Sequence, residues 1–106
     1  MLTPPDLPFL SFVVPVYNEA VNIEPLWRRI ERTCQGSQID RYEVIFVENG
    51  SWDDSEAIIR RLHSENPRVK MLQLSRNFGY QGEISAGLAY ACGEWAAVLD
   101  GDQQDP

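Results

Sequence analysis

The chain carries little positive charge. Nine lysine and arginine residues stand against sixteen aspartate and glutamate residues, and the formal net charge is −7. The basic residues are at most paired, as at Arg28-Arg29 and Arg60-Arg61. A nucleic-acid surface needs a clustered basic patch, so this composition argues against a nucleic-acid partner. An acidic protein that binds a phosphate ligand needs a cation between the two, and a metal ion can supply it.

Cysteine and long apolar runs are scarce as well. Cys34 and Cys92 are too few for a disulfide framework and lack the spacing of a zinc site, so we expect two small buried side chains in a reducing compartment. No apolar run approaches the roughly 18 residues that a membrane-spanning helix needs. A Gly-x-Gly-x-x-Gly segment after the first strand and a Walker lysine are also missing, which argues against NAD and ATP modules.

The remaining pattern alternates between strands and helices. Residues 1–8 are rich in proline and are predicted as a flexible lead-in, and residues 9–106 as one domain. Strands are predicted at 9–14, 42–47, 69–74 and 95–99, with a helical pattern between each pair. The order βαβαβαβ predicts an α/β fold with a parallel sheet and helices on both faces. The expected strand order, 3-2-1-4, leaves the apolar fourth strand at an edge of the sheet.

Caps, helix breakers and apolar spacing predict the boundaries and buried faces of these elements. The predicted boundary residues are Pro15 at the end of the first strand, Asn22 as N-cap of the first helix with Pro25 in its first turn, Asp53 or Asp54 as cap of the second helix, and Gly93 as C′ residue of the third. The predicted buried faces are Ile23, Leu26, Trp27, Ile30 and Cys34, then Ile58, Ile59 and Leu62, then Ile84, Leu88 and Ala91.

A polar cluster follows each predicted strand, and parallel sheets bind ligands beyond the carboxyl ends of their strands. After the fourth strand, Asp100 and Asp102 face one side of an extended chain, about 7 Å apart. Carboxylate oxygens suit Mg²⁺ or Mn²⁺, which also take phosphate oxygens of a substrate. The pattern therefore indicates a metal–diphosphate site, although by itself Asp-x-Asp is equally compatible with a solvated turn.

The other clusters each allow two interpretations. Glu48-Asn49 is either part of a turn before Gly50 or a carboxylate and amide that accept N–H groups of a nucleobase. Arg76 is either a surface residue or a cation that binds phosphate or base. Tyr17 is either rim packing or an aromatic wall beside a base.

Together these motifs resemble family 2 glycosyltransferases, which have the GT-A fold. The segments 75–79 and 104–106 are most similar to dolichyl-phosphate mannosyltransferases and bacterial undecaprenyl-phosphate glycosyltransferases, which load polyprenyl phosphates. The segments that carry the resemblance, in order and at the family's separations, are 13–19, 48–51, 75–79, 86–88 and 100–106.

The resemblance implies that residues 9–106 are the N-terminal, donor-binding half of an enzyme that transfers a sugar from a nucleotide-diphosphate sugar to a polyprenyl phosphate. The catalytic residues and the half that binds the lipid-phosphate acceptor are expected beyond Pro106. The chain alone is therefore expected to be inactive and to self-associate through its exposed edge strand. We expect a cytoplasmic protein, at the cytoplasmic face of a membrane in its full-length form. The implied nucleotide-binding residues are Pro15, Tyr17, Glu19, Glu48, Asn49, Arg76 and Asp100, and the implied ligands of Mg²⁺ or Mn²⁺ are Asp100, Asp102 and Gln104.

Two departures from the family pattern matter. The family usually has Asp-Asp-Gly-Ser where this chain has Glu48-Asn49-Gly50-Ser51, and Ala-Asp-Leu where it has Gly101-Asp102-Gln103. Asn49 keeps an acceptor oxygen but not the charge, so Asn49→Asp is expected to tighten nucleotide binding. The same departure favours an alternative, a non-catalytic nucleotide-binding module or degenerate paralogue. An Asp-x-Asp phosphatase is a weaker alternative, because such enzymes carry a nucleophilic aspartate after the first strand and this loop has none.

Overall fold

A computed structural model describes residues 8–74 and 79–99 of the chain. Four parallel strands form one sheet in the order β3-β2-β1-β4, with a helix between successive strands. This confirms the predicted α/β architecture and the strand order, and strand boundaries differ from the prediction by at most two residues. The elements are β1 (Leu10–Val16), α1 (Ala20–Gly36), β2 (Tyr42–Glu48), α2 (Ser55–Glu65), β3 (Val69–Gln73), α3 (Gly79–Tyr90) and β4 (Trp95–Val98).

Helices cover both faces of the sheet. Alternate residues of β1 and β2 point to opposite faces, so Val14 and Phe46 pack with α1 and α2 while Val13 and Val47 face α3. Every residue of β2 is buried, which accounts for its nearly continuous apolar sequence. The predicted buried faces of α1 and α2 are confirmed, with Ile58 only half-buried.

Pro15 lies inside β1, so the prediction that it ends the strand was wrong. The strand continues through Val16, and Pro15 pairs in register with Val47 of β2. The Val13 carbonyl accepts the Leu99 N–H on the β4 side at 2.9 Å, and the Val16 carbonyl accepts the Asn49 N–H on the β2 side at 3.2 Å. Pro15 therefore turns its missing N–H toward β4, where the described ladder ends at Val13. An N–H at position 15 would point toward β4, so Pro15 removes no hydrogen bond from the pairing of β1 with β2.

Helix α1 begins two residues before the predicted N-cap. Its N-cap is Glu19, which makes no side-chain cap hydrogen bond, and the Asn22 N–H donates to the Glu19 carbonyl at 2.9 Å. Asn22 is thus inside the first turn, and Pro25 lies in the second. The helix tolerates Pro25 because the carbonyl that it leaves without a helical donor belongs to exposed Val21.

Helix α3 packs through a different face from the predicted one. Its buried residues are Glu83 and Gly87, whereas Leu88 is exposed and Ile84 and Ala91 are half-buried. A Cβ atom at Gly87 would lie 2.4 Å from Cγ1 of Val13. The helix approaches the sheet so closely that only glycine fits at this contact, and this closeness rotates the larger apolar side chains away.

A buried carboxylate anchors the turn between α3 and β4. Glu43 accepts the Ser11 hydroxyl at 2.5 Å and the Cys92 N–H at 2.7 Å, and it pairs with the Lys70 ammonium at 2.7 Å. Ser11 in turn accepts the Gly93 N–H at 2.8 Å. Gly93 was predicted as the C′ residue of α3, but α3 ends at Tyr90, so Gly93 lies beyond the C′ position and the prediction was wrong. A Cβ atom at Gly93 would meet Ser11 Oγ at 2.6 Å. Its role is thus close approach to β1.

Some of the remaining fold predictions are confirmed and others are not. Cys34 is buried as expected, but Cys92 is exposed, so the prediction that both side chains are buried was wrong for Cys92. The backbone N–H of Cys92 helps to hold the α3–β4 turn through Glu43. Strand β4 is an edge of the sheet in the described part of the chain, and Trp95 is 65% exposed. Self-association through that edge stays a prediction. No helix within residues 8–74 and 79–99 has the length and apolar character needed to cross a membrane.

Replacing Glu43 by Gln should lower the free energy of unfolding by about 2 kcal/mol, because hydrogen bonds to a charged group are lost from a buried site. Burial raises the pKa of Glu43, but hydrogen bonds from Lys70, Ser11 and Cys92 outweigh it and hold the pKa below the usual 4.5. The stabilisation is therefore present above pH 4.5 and is lost as the pH falls through the lower folded-state pKa.

Urea titrations of the parent and Glu43→Gln at pH 7 and at pH 3 measure this difference. Glu94→Gln is the control, since Glu94 is an exposed glutamate in the same turn. Equal stability of the two variants at pH 7 would contradict the anchoring role.

Candidate functional site

The carboxyl ends of the four strands lie side by side and form a rim. The Asn49 N–H after β2 donates to the Val16 carbonyl of β1 at 3.2 Å, and the Leu99 N–H after β4 donates to Val13 at 2.9 Å. On the other side, the Leu74 N–H after β3 donates to the Glu48 carbonyl at 3.0 Å. The loops that follow these strands therefore leave from one edge of the sheet, as predicted for the polar clusters.

Hydrogen bonds join the loop after β1 to the loop after β2. The Asn18 N–H donates to Ser51 Oγ at 2.9 Å, and the Trp52 N–H donates to Asn18 Oδ1 at 2.9 Å. The Ala20 N–H donates to Asp53 Oδ2 at 3.1 Å. Asn18 has a φ of 51°, a conformation that asparagine tolerates better than most residues. The two loops thus form one unit.

Two aromatic side chains stand on this unit. The rings of Tyr17 and Trp52 meet edge to face, with centroids 5.4 Å apart and an interplanar angle of 89°. Tyr17 is 40% exposed and Trp52 is 78% exposed, so both present ring surface to solvent. Tyr17 was predicted as a site residue and Trp52 was not. The only signal for Trp52 in the sequence was its place as a large apolar residue directly after a polar turn. Such a pair can bind a flat ligand by stacking.

Glu48 shapes its own loop. Its side chain is fully buried, and its carboxylate accepts the Gly50 N–H at 3.2 Å and the Ser51 N–H at 2.5 Å. Gly50 has a φ of 78°, which glycine adopts without strain. Much of the acceptor capacity of Glu48 is therefore engaged within the loop, and a direct role of Glu48 in base binding stays a prediction.

Asn49 contacts a second acid, Glu83, which was not predicted as a site residue from the sequence. The side chains of Asn49 and Glu83 are hydrogen-bonded to each other, and these residues are only 4% and 5% exposed. Burial raises the pKa of Glu83 to about 7; the Asn49 hydrogen bond opposes the rise, and the charges of Glu19 and Glu48 add to it. Glu83 could have been noticed because it precedes Gly87 by four residues and so shares its helix face.

Some of the other predicted site residues are among the described residues, and the rest are not. The Glu19 carboxylate accepts the Tyr17 N–H at 3.2 Å, at the rim. Pro15 is buried within β1, one layer below that rim. Among residues 8–74 and 79–99, no three His, Cys, Asp or Glu side chains are grouped as a metal site. The predicted residues Arg76, Asp100, Asp102 and Gln104 lie outside the described residues, so their roles stay predictions.

The sheet order and its rim define the class of fold, the GT-A glycosyltransferase architecture. The mannosyltransferase PcManGT from Pyrobaculum calidifontis, in complex with GDP-Man and Mn²⁺, matches with a TM-score of 0.70 and 25% identity over 91% of this chain and 28% of that chain. S. aureus TarS 1-349 in complex with UDP matches with a TM-score of 0.73 and 25% identity, over 89% of this chain and 27% of that chain.

The chain belongs to glycosyl transferase family 2, whose family model matches residues 11–106. It is 44% identical over 96 residues to the uncharacterized glycosyltransferase YkcC of Bacillus subtilis (strain 168), covering 91% of this chain and 29% of that protein. It is 38% identical over 108 residues to an undecaprenyl-phosphate 4-deoxy-4-formamido-L-arabinose transferase of Pseudomonas syringae pv. syringae (strain B728a), covering 99% and 31%. The chain thus spans less than a third of the length of these relatives.

Replacing Asp53 by Ala should destabilise the joined loops and the start of α2 by about 1 kcal/mol, the usual cost of losing a helix-capping acceptor. Asp53 Oδ1 accepts both the Ser55 N–H, at 2.9 Å, and the Ser55 hydroxyl, at 2.6 Å. Burial raises the pKa of Asp53, but these bonds and the Ala20 N–H outweigh it and hold the pKa below the usual 3.8. The stabilisation is therefore lost as the pH falls below 3.8.

Asp54→Ala is a matched control, because Asp54 is the N-cap residue of α2 yet makes no side-chain cap hydrogen bond. Urea titrations at pH 7 should show a clear loss for Asp53→Ala and little change for Asp54→Ala. The reverse ranking would show that Asp54 and not Asp53 holds this junction.

Proposed function

We propose that this chain forms the donor site of a metal-dependent glycosyltransferase, which transfers a sugar from a nucleotide-diphosphate sugar to a polyprenyl phosphate. The observation that carries the proposal is the joined rim of β1 and β2 in a family 2 chain. There the Tyr17 ring meets Trp52, and the Asn49 N–H donates to the carbonyl of Val16, the residue before Tyr17. Of the two similar solved structures, one is a complex with GDP-Man and Mn²⁺ and the other is a complex with UDP.

In this proposal the described residues bind the nucleoside. Tyr17 and Trp52 provide an aromatic surface for the base or ribose, and Asn49 provides an amide that can exchange hydrogen bonds with the base edge. Glu19 and Glu48 hold the loops in the conformation that presents these groups, through their bonds to backbone N–H donors. Arg76 supplies a cation for the phosphate or the base.

The residues that directly follow β4 are proposed to hold the metal ion. Leu99, which directly precedes Asp100 in the sequence, is hydrogen-bonded to β1 at the rim. Asp100, Asp102 and Gln104 offer two carboxylates and an amide oxygen, a set of hard donors that suits Mg²⁺ or Mn²⁺. When bound, the ion neutralises charge on the diphosphate leaving group.

The acceptor is proposed to be a lipid phosphate, since the relative from Pseudomonas syringae is named an undecaprenyl-phosphate transferase. We assign the acceptor site and the catalytic residues to the part of the protein beyond Pro106, because relatives are more than three times as long as the matched segment. The chain alone is therefore proposed to lack transfer activity. In this proposal the longer protein works at the cytoplasmic face of a membrane.

One observation favours a second candidate, a non-catalytic nucleotide-binding module. Asn49 takes the place of an acid in the family motif, and such a change can accompany the loss of transfer while nucleotide binding persists. A transfer assay on the longer protein, with UDP- and GDP-sugars and a polyprenyl phosphate, separates the two. Product formation supports the enzyme, and nucleotide binding without product supports the module.

UDP or GDP should bind measurably in the presence of Mn²⁺ or Mg²⁺ and only weakly after chelation, because an acidic rim repels a bare diphosphate. Asp102→Ala should remove the metal-dependent part of the affinity and leave the circular dichroism spectrum unchanged. Asp40→Ala is the control, because Asp40 is exposed at the opposite end of the sheet. Calorimetry that finds equal affinity with and without the ion would disprove the metal role.

Trp52→Ala should weaken nucleotide binding about tenfold, since stacking of a base on an aromatic ring contributes about 1–3 kcal/mol. Trp52→Phe should recover most of the affinity, because a ring remains beside Tyr17. Nucleotide should also quench part of the tryptophan fluorescence of the parent, and this part should be missing in both variants. Unchanged affinity in Trp52→Ala would show that the exposed indole lies outside the nucleotide site.

A further inference from the structure

Glu83 is a buried acid with an unusual environment. It projects from α3 toward the rim, is almost fully buried, and is hydrogen-bonded to the Asn49 side chain. The charged groups that influence it in the described part of the chain are two further carboxylates, Glu19 from the loop after β1 and Glu48 from β2. Burying a carboxyl near like charges is costly, and an apolar side chain would pack here without that cost. Its position next to Asn49 therefore calls for a functional explanation.

The chemistry of an amide limits how this pair can be arranged. An ionised carboxylate only accepts hydrogen bonds, so it is the NH₂ group of Asn49 that faces Glu83. The amide is planar, with its oxygen on the other side of the carbonyl carbon from the NH₂ group. The backbone of Asn49 is held as well, because its N–H donates to the Val16 carbonyl at 3.2 Å. With the backbone and the NH₂ group both held, the direction of the amide oxygen is determined.

We propose that Glu83 is a positioning residue that orients the Asn49 amide so that its oxygen faces the nucleotide base and accepts a ring N–H. This inference rests on the proposed donor site. It also specifies a substrate class, because uracil and guanine carry a ring N–H on their pairing edge, whereas adenine and cytosine carry a ring acceptor there. Nucleotides of uracil or guanine are therefore the expected donors.

The proposal explains the departure at Asn49 in the family motif. The acid that the motif usually places at this position is supplied here from α3, one hydrogen bond further from the ligand. It also revises the expectation that Asn49→Asp tightens binding. An aspartate at 49 would contact the Glu83 carboxyl, and two carboxyls in contact cannot both ionise near neutral pH. Asn49→Asp alone should therefore weaken binding, and the double variant Asn49→Asp/Glu83→Gln should restore it.

Protonation of Glu83 should reverse the arrangement. A neutral carboxyl can donate to the Asn49 oxygen, which frees the amide to turn its NH₂ group toward the base. The pKa of Glu83, raised by burial and opposed by the Asn49 hydrogen bond, is about 7. Binding of UDP should therefore weaken as the pH falls from 8 to 6, and the Asn49 side-chain NH₂ signals should shift over the same range.

The experiment combines calorimetry with ¹H–¹⁵N spectroscopy. With Mn²⁺ at pH 8, Glu83→Gln should bind UDP or GDP about three- to tenfold more weakly than the parent, because a charge-assisted hydrogen bond to Asn49 is replaced by a neutral one. At pH 6 the two should bind alike. Glu94→Gln, an exposed substitution of the same kind, should behave as the parent at both pH values. Circular dichroism establishes that each variant is folded.

The outcomes separate the two proposals. A parent that binds neither UDP nor GDP in the presence of metal overturns both. A parent that binds, with Glu83→Gln matching it at pH 8, overturns the inference about Glu83 alone. The Asn49 NH₂ signals provide a readout that needs no nucleotide: their shift near pH 7 should vanish in Glu83→Gln, and its persistence there would also overturn the inference. Preference for ADP or CDP over UDP and GDP would refute the assigned direction of the amide.

Discussion

The parallel pairing of β1 with both β2 and β4 is the interaction on which the rest of the structure depends. It places the carboxyl ends of these strands at one edge, so that Asn49 and Leu99 are both bonded to β1. Pro15 is compatible with this arrangement only because its missing donor faces the side on which the described ladder has already ended.

The sequence predicted the architecture well because periodicity and strand order are local or topological properties. The faces of α1 and α2 follow from helical spacing, and the order 3-2-1-4 is compatible with right-handed crossovers in a parallel sheet. It failed for α3, where a single close contact between Gly87 and Val13 decides which side of a mostly apolar helix is buried. A pattern of apolar residues carries no information about how closely two backbones approach. Glu83 was missed for the same reason, since its burial depends on that rotation.

The candidate site was predicted in part. Tyr17, Glu19 and Asn49 lie at the rim as expected, but the sequence could not show that Glu48 satisfies backbone donors of its own loop. Nor could it show that Trp52 reaches Tyr17, because this contact depends on hydrogen bonds between two loops that are far apart in sequence. Contacts of this kind arise from tertiary structure, and motif spacing only indicates that the loops share an edge.

Electrostatics links these features to the proposed chemistry. Glu19 and Glu48 act electrostatically on Glu83 beneath a surface proposed to bind the nucleoside of a nucleotide-diphosphate sugar, and the chain as a whole is acidic. Two of these acids accept backbone N–H groups, so their charge is partly compensated within the loops. Burial raises the pKa of Glu83 to about 7; the Asn49 hydrogen bond opposes this rise, and the charges of Glu19 and Glu48 add to it. A cation bound after β4 would lower the cost of all three charges, so metal binding and nucleotide recognition should be coupled through this acidic cluster.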